Sequence, residues 1–178
     1  MKRVVVTGMA LASPLGCSVD TVFENLQKFK NCVEYDKSLD QYDKLNTRLC
    51  ARVKGFEVPA SYNRKVLRTM GPVSVMSVRT AELALQDAGL LGNEIITNGD
   101  CGVSYGSSSG SLDAIIDFYG MEVDKEVKGL NSGSYVKMMA QTTAVNISLY
   151  FKTTGRLIPA STACTSGSMG IGYAYEAN

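Results

Sequence analysis

The sequence contains no histidine and no tryptophan among its 178 residues. Without histidine, a zinc site would need cysteines or carboxylates alone, and a thiol hydrolase would lack its usual general base. The cysteines are odd in number, widely spaced and without a CxxC pair, namely Cys17, Cys32, Cys50, Cys101 and Cys164. Such spacing argues against a disulfide framework and a zinc site. We predict no metal, and small, buried, inert thiols for all but one of the cysteines.

Long apolar runs are also missing. No segment approaches the roughly 18 apolar residues that cross a bilayer. The opening MKRVVVTGMALASPLG starts with basic residues, as signal peptides do, but Thr7, Gly8, Ser13 and Pro14 interrupt its apolar part. With 45% hydrophobic and 20% charged residues, the composition is typical of one globular domain. We therefore predict a cytoplasmic protein without a membrane span.

A strong net charge is absent, but the charges are unevenly distributed. Residues 1–70 contain 12 Lys and Arg against 7 Asp and Glu, a net +5, and residues 71–178 contain 6 against 10, a net −4. This asymmetry suggests an acidic partner and is too weak to indicate nucleic acid. The Gly-Ser turn at 106–110 lacks the spacing of the glycine-rich nucleotide-binding loops. We predict no nucleotide and no cofactor.

Short β-branched or apolar segments alternate with longer segments of helical spacing. The predicted strands occupy 3–8, 49–54, 101–108 and 156–162. The predicted helices occupy 18–29, 72–88, 111–123, 134–151 and 164–177, with Ser18 or Asp20 capping the first and Pro72 and Gly89 bounding the second. The alternation predicts an α/β fold with a largely parallel sheet. No strand follows the last helix, so we expect the chain to be cut short of a complete βαβ unit.

The segment PASTACTSGSMGIG at 159–172 contains the residue best suited to chemistry. Cys164 is predicted to follow a short strand and open a helix, where unpaired N–H groups and the helix dipole favour the thiolate. A thiolate is the nucleophile that an acyl-transfer enzyme needs. Small neighbours permit a sharp turn like the nucleophile elbow of serine hydrolases, with the Cys164 N–H as an oxyanion donor. Close packing without catalysis is the alternative interpretation of this pattern.

The hexamer TACTSG, with Cys164 third, resembles the active-site signature of the β-ketoacyl-acyl carrier protein synthases of the thiolase superfamily. The match is closest to the elongating type II condensing enzymes. Four further segments resemble the family in the same order along the chain, namely VVVTGMALASPLG, RKVLRTMGPVSVMSVRTAELALQDAGL, GVSYGSSSGSL and QTTAVNISLYFKTTGRLIPASTACTSG. The resemblance covers nearly all of residues 3–177. It implies a thiolase-like layered fold, with this chain as the N-terminal half of an αβαβα arrangement and a mixed, mostly parallel sheet flanked by helices.

The resemblance implies a two-step reaction at Cys164. The thiol takes an acyl group from acyl carrier protein as a thioester; a malonyl-carrier protein is then decarboxylated, and its carbanion attacks that thioester. In the family, two histidines, a lysine and nearby acidic residues support the second step, and they come from the second half of the chain. Because this sequence has no histidine, we expect one domain over residues 1–178, truncated after the nucleophile helix and unable to complete the condensation alone.

The resemblance also assigns partner and pocket residues. Arg64, Lys65 and Arg68 match the basic segment that docks the acidic carrier protein. Met138 and Met139 match bulky residues that reach toward the partner subunit's acyl pocket, and Ile115 lies near the floor of the pocket. Family members pair through the strand before the nucleophile, here about Leu157–Ser161, which implies a homodimer or heterodimer.

Several alternatives remain open at the level of sequence. The chain could be a non-catalytic, chain-length-type partner subunit, although the retained Cys164 favours the catalytic partner. It could also be an inactive fragment, and an unrelated thiol hydrolase would need a base that no histidine supplies. Residues 31–61 match the family poorly, and Met169 and Tyr173 stand where members often carry histidine or another polar residue. These departures suggest a specialised polyketide-like or polyene pathway.

Overall fold

The computed structural model describes residues 3–127 and 129–177. The chain divides into two compact units, a smaller one of Met9–Glu57 and a larger one of Met1–Gly8 with Val58–Asn178. Neither unit has, within these described ranges, a helix long and apolar enough to cross a membrane. Each unit is organised around its own short sheet.

The smaller unit contains one helix and one antiparallel strand pair. Helix α1 (Val19–Gln27) begins after Ser18, whose side chain accepts a hydrogen bond from the Thr21 N–H at 3.2 Å. This confirms the predicted cap, because the hydroxyl satisfies an N–H group that the first helical turn leaves free. Strands β1 (Glu34–Tyr35) and β2 (Leu49–Cys50) follow, with a 3₁₀ turn at Lys37–Gln41 between them. The strand predicted at 49–54 is present but ends at Cys50.

The larger unit alternates helices with two parallel strands. Its helices are α2 (Arg64–Leu67), α3 (Pro72–Asp87), α4 (Leu112–Asp124), α5 (Ser132–Met138), α6 (Thr142–Phe151) and α7 (Ser166–Ala177). Strands β3 (Val103–Gly106) and β4 (Leu157–Ala160) pair in parallel, from Val103 opposite Leu157 to Gly106 opposite Ala160. Short 3₁₀ turns lie at Glu94–Ile96 and Ala163–Thr165. The predicted parallel pairing of these two strands is confirmed.

The core of the larger unit lies where helices cover this strand pair. Helices α6 and α7 both pack on β3 and β4, and α3 packs on α6. The buried centre consists of Tyr62, Met70, Val78 and Ile147. Helix α3 begins at Pro72 and is followed by Gly89, which has φ of +67°, as expected for a helix that starts at proline and ends before a left-handed glycine. Most of its length is half-buried, which agrees with the predicted buried helix.

Two predictions of secondary structure are wrong. The predicted strand at 3–8 pairs with no other strand in the described residues, and Val5 and Val6 are exposed. Its β-branched residues favour an extended backbone, but a strand also needs a partner for its ladder of hydrogen bonds. The helix predicted at 134–151 is two helices.

The break between α5 and α6 has a tertiary cause. The backbone of Met139 is extended, and the carbonyls at the end of α5 bond outside the helix. Lys137 accepts from the Ser111 N–H at 2.9 Å, Met138 accepts from the Gly110 N–H at 3.1 Å, and the Thr142 hydroxyl donates to the Val136 carbonyl. A continuous helix would need these carbonyls for its own N–H groups. The turn at Gly110–Ser111 therefore ends α5.

Candidate active site

Cys164 lies in the turn that joins β4 to α7. Strand β4 ends at Ala160, the thiol sits within the 3₁₀ turn Ala163–Thr165, and α7 begins two residues later at Ser166. The prediction that Cys164 opens the helix is therefore wrong in detail, because a tighter turn precedes the first α-helical residue. The strand-to-helix position itself is confirmed. The cysteine is exposed, so the thiol is accessible to a substrate.

The backbone just before the thiol is in a strained region. Ala163 has φ of +51°, a left-handed conformation that costs a non-glycine residue about 1–3 kcal/mol and persists only where the surroundings enforce it. The strand–turn–helix path with a strained turn at the nucleophile is the geometry of the nucleophile elbow. This turn therefore presents the Cys164 side chain away from the packed layers.

Ser166 holds the turn in place. Its side chain is buried, donates to the Ala163 carbonyl at 2.7 Å and accepts from the Thr162 N–H at 2.9 Å. Thr165 adds two bonds to the Thr162 carbonyl, from its N–H at 3.2 Å and from its hydroxyl at 2.8 Å. These bonds connect both sides of the strained residue. They leave the Cys164 N–H without an acceptor in the described part of the chain, as an oxyanion donor requires.

The turn rests on the carboxyl end of both strands. A Cβ atom added at Gly106, the last residue of β3, would overlap the carbonyl oxygen of Ser166. The Ser107 N–H donates to the Ala160 carbonyl at 3.0 Å, which joins the ends of β3 and β4. In open α/β sheets, ligands bind outside this edge of the strands. The position of Cys164 therefore suits substrate binding.

The predicted pocket residues lie on elements that meet near the same edge. Met138 is the last residue of α5, Met139 lies in the break after it, and Ile115 is on α4 with 40% of its surface exposed. The turn Gly110–Ser111, which leads from β3 into α4, is hydrogen-bonded to the end of α5. Thus the structure places these elements together at the turn that leaves β3. Their role in an acyl pocket stays a prediction.

The predicted docking residues lie on one short helix. Arg64 and Lys65 start α2, and Arg68 follows its last residue. Asn63 caps the helix by accepting from the N–H groups of Lys65 and Val66 at 3.0 and 3.2 Å. The three cations are exposed and line a cleft of about 1000 Å³ with residues of α5, among them Lys137. Sequence reasoning missed Lys137, since no local pattern connects it with residues 64–68.

The predicted dimer strand corresponds to β4. The strand spans Leu157–Ala160, one residue shorter than predicted, and Leu157 is 37% exposed. Within the described ranges β4 pairs with β3 alone. Its other edge is thus available to a further strand, although the dimer stays a prediction.

The other four cysteines differ from Cys164 in exposure. They are free and half-buried, less buried than predicted, namely Cys17, Cys32, Cys50 and Cys101. Burial raises the pKa of Cys101. The hydrogen bond from Cys50 to the Asp36 carboxylate, 3.3 Å long, raises the pKa of the Cys50 thiol. Raised values disfavour the nucleophilic thiolate at both positions. In the described residues no group of three or more Cys, Asp or Glu side chains is arranged to hold a metal ion.

Comparisons with known proteins agree with this geometry. A crystal structure of a β-ketoacyl synthase from Burkholderia phymatum STM815 is similar to this chain with a TM-score of 0.93 and 48% sequence identity, covering 99% of this chain and 43% of that one. The 3-oxoacyl-[acyl-carrier-protein] synthase 1 of Buchnera aphidicola subsp. Baizongia pistaciae is 30% identical over 99% of this chain and 43% of its own length. A type II polyketide ketosynthase, solved in complex with its acyl-carrier protein, has a TM-score of 0.77 at 23% identity, covering 99% of this chain and 46% of that one.

These likenesses confirm the thiolase-like α/β fold. The chain spans less than half the length of each of these proteins. The family model for the N-terminal domain of β-ketoacyl synthases matches residues 1–177, which is nearly the entire sequence. The chain belongs to the β-ketoacyl synthase family and carries its N-terminal domain.

Proposed function

We propose that Cys164 accepts an acyl group from acyl carrier protein as the first step of a 3-oxoacyl-acyl carrier protein synthase reaction. The thiolate attacks the carbonyl carbon of the carrier's thioester, a new carbon–sulfur bond forms at Cys164, and the carrier's thiol leaves and takes up the proton. The observation that carries the proposal is the exposed thiol on a strained, hydrogen-bonded turn between β4 and α7.

The second step joins a two-carbon unit to this thioester. Loss of carbon dioxide from a malonyl-carrier protein leaves an enolate, which attacks the acyl carbonyl and expels the Cys164 thiolate, so that a 3-oxoacyl-carrier protein is released. Decarboxylation in the family depends on two histidines, and this sequence has none. We propose that residues beyond these 178 supply them and that this chain alone is competent for acylation only.

The partner assignments follow from the same family membership. Acyl- and malonyl-loaded carrier proteins dock on Arg64, Lys65 and Arg68, whose exposed positive charges suit an acidic protein. A related ketosynthase has been solved with its acyl-carrier protein bound, which supports this choice of partner. A second subunit, identical or related, pairs along β4. Ile115, Met138 and Met139 contribute to the acyl pocket.

A non-catalytic, chain-length-type subunit is the second candidate. That role does not require a nucleophile, so the exposed Cys164 on its fixed turn favours the catalytic one. The acyl product could enter fatty acid synthesis or a polyketide or polyene pathway. A preference of the enzyme for saturated medium-chain carriers in a turnover assay would exclude the specialised pathway.

Acylation by a small thioester tests the proposal without requiring docking. The chain is incubated with hexanoyl-N-acetylcysteamine and measured by intact mass spectrometry and peptide mapping. We expect one hexanoyl group per chain, located on Cys164, and none on Cys164→Ala. Cys101→Ala is the matched control and should be acylated like the wild type, because Cys101 is half-buried with a raised pKa. Acylation of Cys164→Ala at the wild-type rate would show that Cys164 is not the acceptor.

A further inference from the structure

The cleft between α2 and α5 has cations on both of its walls. Arg64, Lys65 and Arg68 come from α2 and the residue after it, and Lys137 comes from the last turn of α5. No carboxylate lines this cleft, whose remaining lining residues are Thr69, Asn131, Ser132, Gly133 and Val136. Like charges that share a cleft repel one another and attract an anion.

These four cations have no acidic partner in the described residues. The ion pairs of the described chain involve other basic residues, namely Lys28, Arg48, Arg52, Lys54, Arg79 and Lys125. Lys137 is half-buried, so it cannot escape the field of the other three by extending fully into solvent. The electrostatic potential of the cleft is therefore left for a ligand to neutralise.

The position of Lys137 is fixed by the backbone. Its carbonyl accepts the Ser111 N–H at 2.9 Å, and the next carbonyl, of Met138, accepts the Gly110 N–H at 3.1 Å. These bonds attach the end of α5 to the turn that leaves β3. A cation held on a fixed backbone loses less freedom on binding than one on a mobile loop. Lys137 is thus prepared for a partner that reaches across the cleft from α2.

We propose that Lys137 is a further docking residue, and that an acidic helix of the carrier protein lies in the cleft and contacts both α2 and α5. The proposal deepens the proposed function, on which it rests for the identity of the partner. The size of the cleft, about 1000 Å³, suits side chains of a protein helix better than a single phosphate. Val136, 38% exposed on the same wall, offers an apolar contact that an amphipathic helix can use.

Binding of purified holo-acyl carrier protein to the 178-residue chain tests the proposal. We expect Lys137→Glu to weaken binding at low salt by roughly tenfold, comparable with Arg68→Glu, because charge reversal adds repulsion to the lost attraction. Added salt should reduce the difference between wild type and variant, since it screens exposed charges. Lys30→Glu, an exposed lysine that does not line the cleft, makes the same charge change and should bind like the wild type.

Two further measurements separate the possible failures. Lys137→Gln keeps the length of the side chain and should weaken binding about half as much on a logarithmic scale, which covers the case in which Lys137→Glu does not fold. Unchanged affinity in both Lys137 variants, with Arg68→Glu weakened, would overturn this inference and leave the proposed function standing. Binding of inorganic phosphate that depends on Lys137, with carrier binding independent of it, would also overturn it. Hexanoyl-N-acetylcysteamine acylates Cys164 without docking, so its failure would count against the proposed function alone.

Discussion

At the scale of single residues, the turn at Cys164 depends on one buried hydroxyl. Ser166→Ala removes the bonds to the Ala163 carbonyl and the Thr162 N–H, so we expect a loss of about 1–3 kcal/mol in the free energy of unfolding. Acylation of Cys164 by the small thioester should also slow, because nothing else holds Ala163 at its positive φ as directly. Thermal unfolding and the acylation rate measure the two effects.

Ser168→Ala is the matched control for this prediction, because Ser168 is exposed in the first turn of α7. It should change neither stability nor acylation beyond the small effect of a surface substitution. Equal behaviour of the two variants would mean that Ser166 does not fix the turn. A loss of stability without a change in acylation rate would mean that the turn keeps its geometry by other contacts.

At the scale of elements, the contact between β3 and α7 depends on glycine. A Cβ at Gly106 would overlap the Ser166 carbonyl, and a Cβ at Gly170 would lie 3.0 Å from the Gly106 N. Because backbone atoms cannot turn aside as a side chain can, we expect Gly106→Ala to cost about 1–3 kcal/mol in unfolding free energy by overpacking. Urea unfolding measures it. Gly167→Ala, which meets no atom within 4 Å, should instead stabilise the helix by about 0.5–1 kcal/mol, and a similar loss in both would contradict this account of the contact.

Comparison of sequence and structure also shows what local patterns can specify at this scale. Ser18, Pro72 and Gly89 act within one helical turn of their own position, so the start of α1 and the bounds of α3 were predictable. The break after Met138 was not, because its cause is hydrogen bonding from Gly110 and Ser111, distant in sequence.

For the candidate site the division is similar. Small residues around Cys164 predicted a tight strand-to-helix turn, and the structure has one. The cleft was not predictable, because the approach of Lys137 to Arg68 is set by tertiary packing. The family resemblance supplied the roles of the docking and pocket residues, which periodicity and composition could not.

At the scale of the whole molecule, the edge of β4 leads to a prediction about self-association. Its hydrogen-bonding groups face no further strand in the described residues, and an open edge tends to recruit another strand. We expect the chain to elute as a dimer or larger species in size-exclusion chromatography with light scattering. Leu157→Lys should shift it toward the monomer, because a lysine on an edge strand must be desolvated when a second strand pairs.

Leu149→Lys provides the control for this last prediction. Leu149 is 67% exposed on α6, so the change removes a comparable apolar side chain and adds the same charge away from the strand edge. If association depends on pairing along β4, Leu149→Lys should remain associated under conditions that dissociate Leu157→Lys. If both variants dissociate alike, general exposure of apolar surface drives association. A monomeric wild-type chain would show that the edge of β4 does not pair in the isolated domain.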